Sequence, residues 1–407
     1  RGPRGRGPRW APMGASQGTG RGGGAATTLE TAHANLRKVQ NLILRPRRQV
    51  YKRSDLGPES FAYGGVAFTR TDFGLTNPRG LVLECSHWQR ADAAGGSTWS
   101  CSGPSTERAP CVVYCHANAG SRLEAQEVLG WALELGCSVF AFDFAGSGMS
   151  EGEHVSLGWY EQLDLQAVIE YLRRSCNVGS IAVWGRSMGA VTTLLYTDKT
   201  RERPEVSAVV LDSPFSRFDT VAASMVETQS QRLMGDGCFV PGCMASPFIA
   251  MVASSIKGTA GFNPSDLDLV KCAERAQVPA LFLVADQDML VPPEQGKQLY
   301  SVYGGATGLL LFNGDHNSRR PGPVYATATK FLEPLMSLPP KARRPVVTVP
   351  LNNLRTPWEP PCGCRSVHGL WMLDAMFCSS AGGHGSCMAS GKAEGGTFSR
   401  GDPDAAL

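Results

Sequence analysis

The sequence lacks a run of about eighteen apolar residues, the length that a transmembrane helix needs, so no membrane-spanning helix is expected. It also has little net charge, +3 over 407 residues, and its aromatic residues are not interleaved with basic runs. A nucleic-acid-binding surface is therefore not indicated. No secretory signal precedes the cysteines, many of which lie in or beside apolar segments, so free thiols in a reducing compartment are favoured over disulfides.

The N-terminal region is biased in composition. Residues 1–29 contain five arginines and no acidic residue, which predicts either a disordered segment or an organelle transit peptide within residues 1–49. We expect a cytoplasmic protein, with a plastid or mitochondrial location as the alternative. The apolar positions of residues 36–43 predict a short amphipathic helix that packs on the domain. The basic segment 45–53 offers a contact with an anionic membrane as a further hypothesis.

The C-terminal region, residues 339–407, is rich in proline, glycine and serine and has no sustained period, which predicts a disordered tail. Its cysteines and histidines are numerous enough to bind zinc, but their spacing is irregular and lacks the usual Cys-x-x-Cys pairs. We therefore predict no metal site and no cofactor. The residues concerned are Cys362, Cys364, His368, Cys378, His384 and Cys387.

The middle of the chain, residues 50–338, has the pattern of one α/β domain. Short apolar runs alternate with helix-length segments, which predicts a mostly parallel sheet covered on both faces. The clearest helix is predicted over 156–174, and a β-hairpin over 67–88 with its turn at 77–80. The interval from about 216 to 278 is too long for one crossover and predicts a helical cap. Strands are predicted near 111–115, 137–142, 180–184, 207–211, 280–285 and 308–312.

The most informative motif joins a predicted strand to a predicted helix. Gly185-Arg186-Ser187-Met188-Gly189 has the form Gly-x-Ser-x-Gly, which is typical of a nucleophile elbow. Such a turn lifts the serine hydroxyl out of the sheet, and its glycines allow backbone segments to approach closely. By itself the pattern is weak, because a loop of this composition is common.

A serine hydroxyl needs a base and an orienting acid to become a nucleophile. Among the histidines after Ser187, only His316 follows a predicted strand, so we predict it as the base. Asp288, in the loop after strand 280–285, is predicted to orient it. Asp212 also ends a strand and is the rival acid, whereas Asp286 could instead cap its loop.

Acyl transfer also requires donors for the developing oxyanion. The backbone N–H of Met188, directly after the serine, is one predicted donor. The second is expected in the loop that follows strand 111–115, where Asn118 is the candidate. His116 in the same loop is interpreted as a structural histidine.

Five motifs in this order resemble the α/β-hydrolase superfamily, in particular its branch of serine aminopeptidase-like, monoacylglycerol lipase-like and depalmitoylase-like enzymes. The resemblance covers about residues 50–338 and implies a catalytic triad of Ser187, Asp288 and His316 with Asn118 and Met188 at the oxyanion hole. Ala117 departs from the glycine that the family often has there, and we expect the loop to tolerate alanine. The motifs are residues 116–120, 143–150, 185–189, 288–292 and 314–317.

The predicted function is hydrolysis of a carboxylic ester or thioester, lipid-like or acylated, through an acyl-enzyme. A serine aminopeptidase is the alternative, but the cap offers only Asp219, Glu227 and Asp236 to bind a substrate amine. The apolar residues of the cap could line a site for an acyl chain, and they could equally well form a packed core. These are Phe239, Val240, Met244, Phe248, Ile249 and Met251. A hydrolase fold without catalysis, which binds a small ligand or a protein partner, is the second alternative.

Overall fold

The computed structural model describes residue 34 and residues 36–91, 108–174, 177–224 and 242–339. The predicted tail beyond residue 339, with its cysteine and histidine residues, lies outside these ranges, as do residues 1–33 and 225–241. Among the helices of the described ranges, none is long and apolar enough to cross a lipid bilayer.

A nine-stranded sheet forms the centre of the fold, in the order β1-β2-β3-β5-β4-β6-β7-β8-β9. The first three strands are antiparallel, β3 pairs antiparallel with β5, and the remaining neighbours are parallel. The predicted mostly parallel sheet with an N-terminal hairpin is thus confirmed. The strands are β1 (Ser60–Tyr63), β2 (Val66–Thr76), β3 (Val82–Arg90), β4 (Ala109–Cys115), β5 (Ser138–Phe142), β6 (Val178–Arg186), β7 (Ala208–Asp212), β8 (Ala280–Ala285) and β9 (Thr307–Phe312).

Helices cover both faces of the sheet. Neighbouring residues of one strand enter different cores. Val183 belongs to the core that includes residues of α3, α4, α7 and α8, and Trp184 belongs to the core that includes residues of α2 and α9. Because both faces are buried, the central strands read as continuous apolar runs. The helices are α1 (36–44), α2 (Gln126–Glu134), α3 (Glu161–Arg174), α4 (Met188–Lys199), α5 (218–224), α6 (Gly242–Ala260), α7 (Leu269–Arg275), α8 (Pro293–Val302) and α9 (Gly322–Leu332).

The structure corrects the predicted start of the helix over 156–174, because α3 begins only at Glu161. Leu157 and Gly158 have positive φ angles of 55° and 106°, which a helix cannot contain. The buried carboxylate of Glu161 accepts the N–H groups of Ser156 and Gly158, each at 2.8 Å, and so stabilises a turn in place of the first helical turn.

The predicted cap comprises two kinds of helix. Helix α6 contributes Val252 and Ile256 to the core, and Gln40 of α1 hydrogen-bonds Thr259 at 2.6 Å. Helix α7, in contrast, follows α6 as the crossover to β8 and packs against α4 and α8. The predicted range of 216–278 is therefore wider than the cap itself.

The segment before residue 50 also belongs to the fold. Val39, Ile43 and Leu44 of α1 are buried in the core, although the predicted domain begins at residue 50. In the basic segment that follows, Arg48 donates to the Ser150 carbonyl at 2.8 Å and Arg53 pairs with Glu84 at 3.1 Å. Arg45 also pairs with Glu153 at 3.4 Å, so at least three of its guanidinium groups are engaged within the chain. Membrane contact through this segment stays a prediction.

Candidate active site

The turn between β6 and α4 is a nucleophile elbow in its geometry. Ser187 has φ 52° and ψ −115°, a strained conformation for a residue with a side chain. A Cβ atom on Gly189 would overlap the carbonyl group of Cys115, and one on Gly185 would lie 2.7 Å from the Cα atom of Ala190. Both positions therefore require glycine, as the motif predicts.

The structure brings Ser187, His316 and Asp288 together. His316 Nε2 lies 2.9 Å from Ser187 Oγ, and His316 Nδ1 lies 2.6 Å from Asp288 Oδ2. Because an ionised carboxylate only accepts hydrogen bonds, Nδ1 carries the hydrogen and Nε2 is left to accept the hydroxyl hydrogen of Ser187. All three residues are buried, with exposed fractions of 8%, 5% and 3%.

The backbone of its own loop holds the carboxylate of Asp288. Asp288 Oδ1 accepts the N–H groups of Leu290 at 3.0 Å and Val291 at 2.7 Å, which leaves Oδ2 for the imidazole. Asp286 instead accepts the N–H of Gly314 at 3.1 Å, which joins the loop after β8 to the loop that carries His316. Asp286 thus links two loops, whereas the alternative role predicted from the sequence was to cap its own loop.

Asp212, the rival acid, is engaged elsewhere. Its two carboxylate oxygens accept Nε and Nη2 of Arg320 at 2.8 and 2.7 Å. Burial raises the pKa of the Asp212 carboxyl, but the charge and hydrogen bonds of Arg320 outweigh burial, so this pKa lies below its ordinary value. Its backbone carbonyl accepts the N–H of Ser187 at 2.8 Å. Asp212 therefore supports the elbow and does not contact His316 through its carboxylate.

In the described ranges, two backbone N–H groups are free to donate hydrogen bonds to an oxyanion, those of Met188 and Asn118. Met188 is the first residue of α4, so its N–H has no partner within the helix. Asn118 lies in the loop after β4, and within the described part of the chain neither N–H has a hydrogen-bond partner. The side chain of Asn118 is buried, and its amide oxygen and nitrogen also lack partners there.

The loop that carries Asn118 is fixed by its neighbours. Glu124 accepts the N–H of Ala117 at 3.1 Å, and His116 accepts the N–H of Phe144 at Nε2, 3.0 Å away. His116 is fully buried and its Nδ1 lies 2.7 Å from the Ala117 carbonyl oxygen, so it is a structural histidine. Ala117 is not among the residues with positive φ, which explains why alanine is accommodated.

Sequence reasoning missed the charged residues around the triad side chains. Arg186 donates to Glu127 at 2.8 Å and to the backbone carbonyl of His316 at 3.1 Å. Arg320 also donates to this carbonyl, at 3.4 Å. The position of Arg186 inside the elbow motif was a signal that could have been used, whereas nothing in the local pattern marks Glu127.

A protein-family model described as alpha/beta hydrolase fold matches residues 110–256. Among curated relatives, the uncharacterized protein YqkD of Bacillus subtilis is 26% identical over 207 residues, which cover 50% of this chain and 64% of that protein. The protein bem46 of Schizosaccharomyces pombe is 29% identical over 207 residues, 50% of this chain and 59% of that protein.

The lysophosphatidylserine lipase ABHD12 of Danio rerio is 27% identical over 221 residues, which cover 53% of this chain and 52% of that protein. The chain thus spans about half to two thirds of the length of these three relatives. A solved structure of the Pyrococcus furiosus esterase PF2001 is similar in fold, with a TM-score of 0.53 and 20% identity, and the match covers 72% of this chain and 98% of that one. The family model, the strand order and the solved structure agree, and the chain has the α/β-hydrolase fold.

Proposed function

We propose that this protein is a serine hydrolase that cleaves a carboxylic ester or thioester through an acyl-enzyme. One observation carries the proposal: His316 Nε2 is 2.9 Å from Ser187 Oγ while its Nδ1 is 2.6 Å from Asp288. An imidazole held in this way can take the serine proton as the hydroxyl attacks an acyl carbonyl. The match of residues 110–256 to the alpha/beta hydrolase family model and a lipase among the relatives add support.

The chemical steps follow from the positions of these groups. As Ser187 Oγ bonds to the acyl carbon, its proton moves to His316 Nε2, and Asp288 stabilises the imidazolium that forms. The N–H groups of Met188 and Asn118 donate to the carbonyl oxygen, which becomes negatively charged. The imidazolium then protonates the departing alcohol or thiol, and the acyl group stays on Ser187. Finally, His316 removes a proton from the water that attacks the acyl carbon, and the imidazolium returns this proton to Ser187 Oγ as the acid departs.

Esters and thioesters suit the described part of the cap better than peptides do. An aminopeptidase needs a carboxylate that is available to the substrate's amine, and Asp219 is already paired with Arg217 at 2.9 Å. Glu227 and Asp236 lie outside the described residues. The relative from Danio rerio is named as a lysophosphatidylserine lipase, and a lysophospholipid is a carboxylic ester.

The apolar cap residues divide between the two predicted roles. Phe248 and Ile249 pack against the core, whereas 51% of Met251 is exposed. Phe239 and Val240 lie outside the described residues, and nothing is described of the Met244 side chain. Met251 is thus exposed, and it is the residue of this set, among those whose side chains are described, that lies outside the packed core.

Labelling with a fluorophosphonate probe tests the proposal. Wild type should be labelled, while Ser187→Ala and His316→Ala should lose labelling, because the probe reacts only with an activated serine. Ser138→Ala is the matched control. Ser138, the first residue of β5, is also buried, and its hydroxyl donates to the backbone carbonyl of Pro110. Its labelling should equal that of wild type.

No labelling of a folded wild type would contradict the enzyme and support the alternative of a ligand-binding hydrolase fold. Labelled wild type would be followed by p-nitrophenyl esters, acyl thioesters and aminoacyl amides in parallel. Faster turnover of the amides than of the esters would contradict the assignment to esters and favour the peptidase.

A further inference from the structure

A second group of charged side chains lies beside Ser187 and His316. We call it the charge cluster, and it consists of Glu127, Arg186, Asp212 and Arg320. Arg186 Nη1 donates to Glu127 Oε2 at 2.8 Å, and Glu127 Oε1 accepts the backbone N–H of Arg320 at 2.8 Å. Arg320 in turn forms the bidentate pair with Asp212. Two cations and two anions are therefore connected, and their formal charges cancel.

The charge cluster is removed from solvent. The side chains of Arg320 and Asp212 are each 1% exposed, Arg186 is 6% exposed and Glu127 is 17% exposed. Moving charges out of water is costly, and pairing often does no more than compensate for that cost. Stability alone is therefore a weak explanation for this arrangement.

The charge cluster contacts both reacting residues through their backbone. The carbonyl oxygen of His316 accepts Nη2 of Arg186 at 3.1 Å and Nη2 of Arg320 at 3.4 Å. Arg186 directly precedes Ser187 in the chain, and the N–H of Ser187 donates to the Asp212 carbonyl at 2.8 Å. The strained turn of the serine and the loop of the histidine are thus bonded to the same group of residues.

We propose that Arg320 and Asp212 are a positioning pair that fixes His316 at proton-transfer distance from Ser187. The inference rests on the proposed function, because it concerns the same serine and histidine. Asp212 orients the guanidinium of Arg320, and this guanidinium donates to the backbone carbonyl of the same histidine whose ring contacts Ser187 and Asp288. A displacement of a reacting group by about 1 Å can lower the rate by about 100-fold, so a small movement of this loop matters.

A pair that only stabilises the fold gives a different result in a double variant. Arg320→Met alone leaves the Asp212 carboxylate buried and unpaired, so both explanations predict a loss of stability. The double variant Arg320→Met/Asp212→Leu removes both charges, and the melting temperature should recover under either explanation. The positioning pair predicts in addition that kcat does not recover with it.

The matched control is the pair Arg275 and Asp198, which has the same bidentate geometry at 2.8 and 2.6 Å. Asp198 lies near the C-terminal end of α4, the helix that Ser187 precedes. The double variant Arg275→Met/Asp198→Leu removes an arginine–aspartate pair for which no contact with His316 is described. It should therefore keep the wild-type kcat.

The measurements are steady-state hydrolysis of p-nitrophenyl acetate, the rate of fluorophosphonate labelling and the melting temperature of the full chain. For Arg320→Met/Asp212→Leu we expect kcat and the labelling rate to fall by about 10- to 100-fold, with KM within about twofold of wild type. A folded double variant whose kcat stays within twofold of wild type would overturn the positioning pair.

Arg320→Lys keeps the inference testable if the double variant does not fold. An ammonium group retains the charge but cannot form the two parallel hydrogen bonds of a guanidinium. We expect a folded protein with reduced kcat, and wild-type kcat would overturn the inference. If wild type shows neither hydrolysis nor labelling, the proposed function fails. If wild type is active and the variants are equally active, only the positioning pair fails.

Discussion

Two arginine–aspartate pairs lie at opposite ends of helix α4 and have nearly the same geometry. Beside the N-terminal end, Arg320 and Asp212 are each 1% exposed, whereas near the C-terminal end 48% of the Arg275 side chain is exposed beside Asp198. The first pair also contacts the backbone of His316. The role of such a pair therefore depends on its burial and on its contacts with other residues, and not on the distances between its own atoms.

The largest expected effect separates two aspartates by their partners. Asp288→Asn should lower kcat by about 10⁴-fold, because an amide facing Nδ1 favours the wrong tautomer of His316. Asp198→Asn should leave kcat unchanged, since Asp198 contacts Arg275 and Arg201 at the far end of α4. The kinetics of a p-nitrophenyl ester measure both. A kcat of Asp288→Asn within about tenfold of wild type would contradict the assigned acid.

Close packing also distinguishes the N-terminal end of α4. Gly189→Ala should lower the free energy of unfolding by about 3 kcal/mol, because the new methyl group meets the Cys115 carbonyl. Gly258→Ala in α6 is the control: open space surrounds this glycine, and alanine should stabilise the helix by up to about 1 kcal/mol. Urea denaturation of both variants gives the comparison, and equal effects would show that Gly189 is not crowded.

The contributions of Asp164 and Asp198 to stability should change with pH in opposite directions, because the pKa of Asp164 is raised and that of Asp198 is lowered. Burial, with a contribution from Glu161, raises the pKa of Asp164 to about 6. Its stabilising contribution is present below the ordinary pKa and is lost as pH rises through 6. The advantage of wild type over Asp164→Asn should therefore fall by about 2 kcal/mol between pH 4 and pH 7.

Asp198 is the comparison for this prediction. The hydrogen bond from Arg275 lowers the pKa of Asp198, so its contribution is present at neutral pH and is lost as pH falls. The advantage of wild type over Asp198→Asn should accordingly grow from pH 3 to pH 7. Unfolding free energies over this range measure both slopes, and slopes of the same sign would contradict the assigned environments.

The smallest effect is expected at the exposed pair itself. Arg275→Met should cost about 1 kcal/mol, less than Arg320→Met, because 48% of the Arg275 side chain is exposed although only 12% of Asp198 is. Raising the salt concentration to about 1 M should reduce this difference further, since salt screens exposed charges. Chemical denaturation at low and high salt measures it. A cost as large as that of Arg320→Met would remove the distinction between the two pairs.

Local patterns predicted much of the fold. The alternation of apolar runs and helix-length segments placed six strands that the structure contains, and Gly-x-Ser-x-Gly predicted the strained turn at Ser187, because such features depend on neighbouring residues. Strand β1 was missed, since its four residues have no buried face to mark them. The start of α3 was wrong, because the buried Glu161 competes with the first helical turn.

The roles of the aspartates depended on contacts far apart in the sequence. Asp212 and Asp286 lie at or just after strand ends, and Asp288 follows in the same loop as Asp286, so the sequence alone left the acid open. Asp212 is separated from Arg320 by 108 residues, and this pairing engages both of its carboxylate oxygens. No period in the sequence encodes such a contact, because it arises only when the strands are placed side by side.

The most direct test of the central claim is rapid acid quenching of wild type during hydrolysis of a p-nitrophenyl ester, followed by peptide mass spectrometry. We expect a burst of p-nitrophenol and a mass increase of one acyl group on the peptide that contains Ser187. Neither should occur in Ser187→Ala. Ester turnover without an acylated Ser187 peptide and without a burst, or an acyl group on another residue, would contradict an acyl-enzyme at this serine.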